Sequence, residues 1–169
     1  MSHDISKIVD SVVKEVMEKG TVTQKKPVRA PLTKMTLSAA RELIRAVEEK
    51  AAEMGVKAVV AVSDAGGNTI AVECMDDAYI ASYDIAVNKA FTVVSLKMPT
   101  KTLAELAAPG GSLYGIQFTN NGRIIIFGGG EPLMKEGKVL GGIGVSGGSA
   151  EQDTLLGEYG RDYFVNNLA

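Results

Sequence analysis

Hydrophobic residues form a helical stripe over the first nineteen positions of the chain. Apolar side chains recur there at intervals of three and four residues, and charged residues and serines fill the opposite side. The stripe consists of Ile5, Ile8, Val9, Val12, Val13 and Val16. Gly20 ends this pattern, and residues 20–31 are polar, basic and interrupted by two prolines. The sequence predicts an amphipathic helix over 1–19, a flexible linker over 20–31 and one domain over 32–169.

Two interpretations of the amphipathic helix stay open. Charged residues interrupt the stretch too often for a signal peptide, and its polar face mixes lysines with acidic residues, unlike that of a membrane-surface helix. Its many β-branched residues make the isolated helix marginally stable in water, so we expect it to order on contact with a partner. That partner is either another protein, with the helix as an address, or the chain's own domain or a sister subunit.

The rest of the hydrophobic pattern alternates between helix and strand signals. Helical spacing is found over 36–54, 78–96, 100–108 and from 149 onward. Short apolar runs bounded by turn residues predict strands over 57–63, 69–75, 116–119, 123–127 and 138–145. The turn over 64–68 joins the first two strands into a hairpin, and Ser149 with Gln152 fits a helix capping box. These elements predict an α/β fold in which helices flank a mostly antiparallel sheet.

Composition removes several classes of function. The net charge of −2 provides no basic field for nucleic acid, and no apolar run reaches the length of a membrane span. The single cysteine, Cys74, excludes an internal disulfide and fits a reducing cytoplasm. The single histidine, His3, lies on the N-terminal segment, so the domain lacks the spaced Cys and His residues of a zinc site. We therefore predict no metal site.

Two glycine-rich motifs resemble catalytic or cofactor signatures without the residues that those signatures need. Residues 142–147 fit G-x-G-x-x-G, but a dinucleotide site also needs a second parallel strand with an acidic residue, and a helix fills the remaining chain. Residues 144–148 fit the G-x-S-x-G nucleophile elbow around Ser146, but the domain contains no histidine to act as its base. No catalytic residue is assigned.

Lys89, among small and apolar residues, either reaches out to solvent or meets an anion in a pocket.

Four stretches, in this order, carry a family resemblance: residues 60–68, 88–92, 128–133 and 141–153. Together they resemble the GlcG/HbpS family, which includes the C-terminal domain of PduO, and the match extends over residues 32–168. The resemblance implies a five-stranded antiparallel sheet between helices, layered as in profilin and PAS domains. It also implies homo-oligomers, often octamers, and a connection with haem binding or haem degradation. The adenosyltransferase activity of PduO belongs to its other domain and is not implied.

The chain departs from the family pattern at the positions that concern haem iron. Asn68 stands where the family commonly has histidine, and the histidine iron ligand of the PduO-type domain has no counterpart here. Haem iron is usually held by His, Cys, Met or Tyr side chains. By chemistry alone, the candidate ligands are Met75, Met98 and Tyr114.

The N-terminal helix is similar to the encapsulation peptides of bacterial microcompartment cargo. This resemblance implies microcompartment shell or cargo proteins as partners, and a location in the cytoplasm within the microcompartment lumen.

The first hypothesis is an accessory protein that binds haem, a corrinoid or a small anionic metabolite near Lys89. Glycines approach a ligand closely because they lack a Cβ atom. The expected backbone donors belong to Gly129, Gly130, Gly147 and Gly148. Asp64 and Asp153 are expected to shape or cap the glycine loops. The alternatives are a small enzyme that acts on a carbonyl or acid metabolite through Lys89, and an assembly or scaffold protein.

Overall fold

The computed structural model describes residues 9–11, 13–14 and 31–169. The chain divides into two compact units, Met1–Ala30 and Pro31–Ala169. In the first unit, residues 9–11, 13 and 14 are helical, and the side chains of Val9 and Val13 are about half exposed. The other members of the predicted stripe lie outside the described residues: Ile5, Ile8, Val12 and Val16.

Helices flank a four-stranded antiparallel sheet within residues 31–169. The helices are α1 (Leu37–Glu53), α2 (Ser82–Leu96), α3 (Thr100–Leu106) and α4 (Ala150–Asn167). The strands are β1 (Val59–Asp64), β2 (Thr69–Cys74), β3 (Gly130–Lys135) and β4 (Lys138–Ser146). The strand order is β2-β1-β4-β3, and each neighbouring pair is antiparallel. No helix in the described part of the chain is both long enough and apolar enough to cross a bilayer.

The sheet has four strands and not the predicted five, because the segment between α3 and β3 does not form strands. The strands predicted over 116–119 and 123–127 are wrong: residues 116–118 and 120–122 form single 3₁₀ turns. The left-handed residues Asn120, Asn121 and Gly122 lie between the two predicted strands and fit a turn. The backbone on either side bonds elsewhere: the Thr119 N–H donates to the Ile116 carbonyl oxygen, and the Ile125 N–H donates to Thr92 Oγ1 of α2. The segment lies against α2, where the Arg123 guanidinium stacks 3.6 Å from the centre of the Phe91 ring. β3 instead begins at Gly130, within residues 128–137, where the sequence pattern predicts no strand.

Helix α2 begins at Ser82, four residues later than predicted. Asp77 has a φ of 63°, so the chain turns before the helix, and residues up to Ala81 remain outside it. Ile80 and Tyr83 belong to the apolar set whose helical spacing over 78–96 predicts a core-facing side, but they are 97% and 47% exposed. This turn therefore places apolar side chains on the surface just before α2.

The sheet buries different residue types on its two faces. On one face, Val60, Ile143 and Val145 belong to the main core with residues of α1 and α4. On the other face, α2 lies directly on β4, because glycines there present no side chain to it. A Cβ on Gly144 would lie 2.1 Å from the Ala86 carbonyl oxygen and 2.8 Å from Lys89 Cβ. The glycine-rich sequence of β4 thus sets the position of Lys89.

Helix α4 begins with the predicted capping box. Ser149 Oγ accepts the Gln152 N–H at 3.2 Å, and Gln152 Oε1 accepts the Ser149 N–H at 2.9 Å. We expect Ser149→Ala to lower the free energy of unfolding by about 1 kcal/mol, because one N–H at the helix start loses its acceptor. Urea unfolding measures this loss. Ser112→Ala, at another exposed serine, is the control and should change stability by less than about 0.5 kcal/mol; equal effects would contradict the role of the cap.

Candidate ligand-binding site

Lys89 is completely buried and makes an internal ion pair. Its ammonium donates to Asp153 Oδ2 at 2.9 Å and to the Val145 carbonyl oxygen at 2.7 Å. The centre of the Phe127 ring lies 4.8 Å from the same nitrogen, which is within cation–π distance. The structure thus rules out a lysine that reaches solvent. The anion that Lys89 meets is a carboxylate of its own chain.

Three segments that are distant in sequence bring these groups together. Lys89 comes from the middle of α2, Val145 from the end of β4, and Asp153 from the first turn of α4. Asp153 Oδ1 also accepts the Gly148 N–H at 2.9 Å, which fixes the loop between β4 and α4. The carboxylate therefore connects the lysine to this loop, and its position near the start of α4 is favourable for a negative charge.

Burial disfavours the charged form of the Lys89 side chain. Removal from water lowers the pKa of Lys89, and the attraction and hydrogen bond of Asp153 oppose that shift. A buried ammonium without its carboxylate would be strongly disfavoured. The pair is therefore a strongly coupled unit in which neither charge is stable alone.

A cleft of about 360 Å³ opens beside this ion pair, and we call it the Lys89 cleft. Asp153 and Phe127, which both contact the ammonium, form part of its wall. Its other lining residues include Tyr79, Ser82, Ile85, Ser146, Gly147, Gly148 and Ala150. The cleft combines aromatic and aliphatic walls with hydroxyl and backbone groups, which is the usual composition of a small-molecule site.

The predicted glycines lie around this site, but two of the expected donors already have protein acceptors. The Gly130 N–H donates to Thr100 Oγ1 at 2.9 Å, and the Gly148 N–H donates to Asp153. Gly129 lies against the ammonium: a Cβ there would be 2.7 Å from Lys89 Nζ. Gly147 and Gly148 line the cleft. The glycines therefore act mainly by allowing close packing, and not as four free donors.

Asp64 lies far from this site. In the β1–β4 ladder, Asp64 pairs with Gly141 whereas Val59 pairs with Ser146, so Asp64 is roughly 17 Å away at the other end of β1. Its carboxylate accepts hydrogen bonds from the N–H groups of Gly66 and Asn68 and from the Asn68 side chain. It stabilises the β1–β2 turn, and the structure does not bring it together with Lys89.

The hydrogen bonds from Asn68 and Gly66 hold the pKa of the Asp64 carboxyl below its usual range. A carboxyl with a lowered pKa in the folded state stabilises the protein above its unfolded pKa of about 3.9, and this stabilisation disappears as the pH falls through the folded pKa. We expect Asp64→Asn to be less stable than wild type at neutral pH, with a difference that shrinks in acid. Urea unfolding at three values of pH checks this, and a difference independent of pH would contradict it.

The sequence interpretation missed several residues of the cleft. Ser146 was considered only as a nucleophile, but its hydroxyl, buried in the cleft wall, donates to Ser82 Oγ at 3.1 Å. Phe127 and Tyr79 lie in segments predicted as a strand and as the start of a helix. The position of Phe127 directly before three glycines was the one available signal of a site residue. Among the described residues, no three His, Cys, Asp or Glu side chains gather into a metal-binding group.

With this geometry established, comparison with known proteins assigns the family. The family described as haem degrading protein HbpS-like matches residues 35–162, which include all four strands and the Lys89–Asp153 pair. The chain belongs to the HbpS-like family. The sequence-based assignment of family and fold class is confirmed, apart from the number of strands.

Three relatives show which HbpS-like proteins this chain is similar to. An uncharacterized 15.0 kDa protein in the dhaT-dhaS intergenic region of Citrobacter freundii is 50% identical over 77% of this chain and 92% of its own length. The corrinoid adenosyltransferase PduO of the same organism is 38% identical over 77% of this chain, but the match covers only 39% of PduO. The crystal structure of a PduOC:heme complex is similar with a TM-score of 0.74 and 35% identity, and covers 77% of this chain and 94% of that one.

The residues of this chain do not fit haem held by the predicted iron ligands. Met75 Sδ accepts the Ala58 N–H at 3.3 Å, and neither Met98 nor Tyr114 lines the Lys89 cleft. Within the described residues there is no histidine, and Cys74 of β2 does not line the cleft. The one cleft residue of a type that ligates haem iron is Tyr79, whose side chain is 74% exposed.

Proposed function

We propose that this HbpS-like protein is an accessory ligand-binding protein, and that its ligand occupies the Lys89 cleft. The main support for this proposal is the cleft, which Phe127 and Asp153 line and which lies beside a buried charge pair. Haem is the first candidate ligand because a relative that is 35% identical forms a haem complex. A corrinoid or a small anionic metabolite is the alternative ligand.

Titration of the full chain with haemin tests this proposal. We expect a saturable shift of the haemin Soret band at one haemin per chain. Ala150→Trp places a large side chain at the mouth of the cleft and should abolish the shift, whereas Ala108→Trp, at an exposed site that lines none of the described clefts, should not. A linear, unsaturable increase in absorbance, or equal binding by both variants, would contradict haem binding in this cleft.

We further propose that the N-terminal segment directs this protein into a bacterial microcompartment. Support comes from the helical residues 9–11, 13 and 14, with Val9 and Val13 half exposed on a unit separate from the domain. The test is a fusion of residues 1–20 to a fluorescent protein in cells that produce microcompartment shells. The fusion should colocalise with shells, and the Val9→Glu/Val13→Glu variant should remain diffuse. Diffuse fluorescence of both fusions would refute the address function.

A homo-oligomer is the third part of the proposal. Large apolar side chains are exposed around the start of α2 and after α3, a pattern typical of interfaces between protein chains. They are Tyr79, Ile80, Tyr83, Tyr114 and Phe118. Light scattering coupled to size-exclusion chromatography should give a mass several times that of the chain, and Ile80→Glu should lower it. A monomeric mass for the wild type would contradict this part.

An enzyme that uses the Lys89 amine is the second candidate function. The observation that favours it is burial, which lowers the pKa of Lys89 and thus favours a neutral amine, although Asp153 opposes that shift. Borohydride trapping with small aldehydes, followed by peptide mass spectrometry, decides between the two functions. A reduced adduct on Lys89 would support Schiff-base chemistry. Unmodified Lys89 would argue against it, and ligand binding would remain the proposed function.

A further inference from the structure

Phe127 forms a wall of two neighbouring clefts. It lines the Lys89 cleft and also a second cleft of about 450 Å³ between α3 and α4, which we call the α3–α4 cleft. Ala150 lines both clefts as well. The Lys89 cleft alone is at the small end of the range of ligand pockets, which is roughly 300–1,000 Å³. A ligand that extends across Phe127 has the space of both clefts.

The environment of the Phe127 ring favours a planar ligand. The Lys89 ammonium lies 4.8 Å from the ring centre, and the side chain is 38% exposed. A cation near an aromatic ring draws electron density towards itself, which makes the rest of the ring a better stacking partner for an electron-rich π system. The Lys89–Asp153 pair also holds the ammonium in place, so the ring is supported from the protein side.

We infer that this chain holds a planar tetrapyrrole by stacking its ring face on Phe127, across the Lys89 and α3–α4 clefts, without coordination of the central metal. This inference rests on the proposed ligand-binding function. It follows from the mismatch between the family's connection with haem and the residues of this cleft, in which Tyr79 is the one side chain of an iron-ligating type. Stacking and burial of the macrocycle do not depend on iron.

The charges of the α3–α4 cleft set the orientation of such a ligand. Glu105, Glu151 and Glu158 line this cleft, and Lys101 is 3.7 Å from Glu158. These carboxylates repel the propionate groups of a porphyrin. The Lys89 cleft, by contrast, has one lining carboxylate, Asp153, and the Lys89 ammonium neutralises its charge. We therefore expect the propionate edge to lie on the side of Gly147 and Gly148, and the apolar edge to lie against Leu155 in the α3–α4 cleft.

A comparison of haemin with metal-free protoporphyrin IX tests the inference. Protoporphyrin fluorescence anisotropy gives its Kd for the full chain, and displacement of protoporphyrin by haemin gives the second Kd. We expect the two values to agree within about threefold, because only the macrocycle is bound. Phe127→Leu should weaken both ligands by about tenfold through loss of the aromatic stack. Tyr159→Leu removes another aromatic ring, 37% exposed and outside both clefts, and should leave both affinities unchanged.

Each other outcome has a definite meaning. Haemin that binds more than about tenfold tighter than protoporphyrin, with the difference lost in Tyr79→Phe, would show metal coordination and overturn the inference. Equal binding of both ligands by wild type and Phe127→Leu would overturn the stacking surface while the ligand-binding function stands. No binding of either ligand would refute tetrapyrrole binding altogether, and the inference with it.

Discussion

Replacement of Lys89 by methionine should destabilise this protein by about 3–5 kcal/mol, since it leaves the Asp153 carboxylate buried without its cation. Methionine has nearly the volume of the lysine stem, so loss of packing contributes little. The Gly148 N–H remains the one described donor to the carboxylate, and a single amide does not replace an ammonium. Urea unfolding followed by circular dichroism measures the effect.

Two further variants separate the charge effect from general damage to the core. Lys89→Met/Asp153→Asn removes both charges and keeps an oxygen acceptor for the Gly148 N–H, so it should recover a large part of the loss. Lys57→Met breaks the ion pair with Asp77, which is equally short at 2.8 Å but exposed. We expect it to cost less than about 1 kcal/mol. A double variant no more stable than Lys89→Met would contradict the account of the buried pair.

Gly144→Ala is expected to have the second largest effect, about 3 kcal/mol of lost stability from overpacking. The added Cβ would lie 2.1 Å from the Ala86 carbonyl oxygen and 2.7 Å from the Ala90 amide nitrogen. Both are backbone atoms of α2, so the methyl group is accommodated only if the whole helix moves away from β4. That movement also displaces Lys89 from Asp153, so ligand binding should fall together with stability.

Gly110→Ala is the matched control for this substitution. A Cβ on Gly110 meets no atom within 4 Å, but its φ of 83° disfavours alanine. It should therefore cost about 1 kcal/mol, for backbone conformation alone. Thermal unfolding compares the two variants. A Gly144→Ala protein as stable as Gly110→Ala would show that the helix adapts and that close packing on β4 is unimportant.

The sequence predicted the fold where local signals and burial agree. The β1–β2 hairpin and the capping box of α4 rest on turn and cap residues whose backbone preferences are local, and both are present in the structure. The segment over 116–127 has the apolar content of strands, but its backbone hydrogen-bonds locally and to the Thr92 side chain of α2, so it pairs with no strand. The hydrophobic pattern alone does not distinguish a strand from an apolar segment that packs against a helix.

The site was only partly predictable for a different reason. Lys89 was conspicuous because a charge among apolar residues needs a partner, and the structure provides one. The identity of that partner, 64 residues away in sequence, depends on the packing of α2 and α4 around the end of β4. Phe127 has no unusual sequence neighbours except glycines, and its position beside the ammonium arises only in three dimensions. Long-range placement of this kind leaves no local pattern.

Amide hydrogen exchange of the full chain, with and without saturating haemin, tests the central claim most directly. If the ligand occupies the Lys89 cleft, exchange should slow around Ser82, at Phe127 and at Gly147 and Gly148, which line the cleft. The β1–β2 turn at Asp64, at the other end of the sheet, should exchange at the same rate in both states. Protection confined to that turn, or bound haemin without protection beside Lys89, would contradict the account.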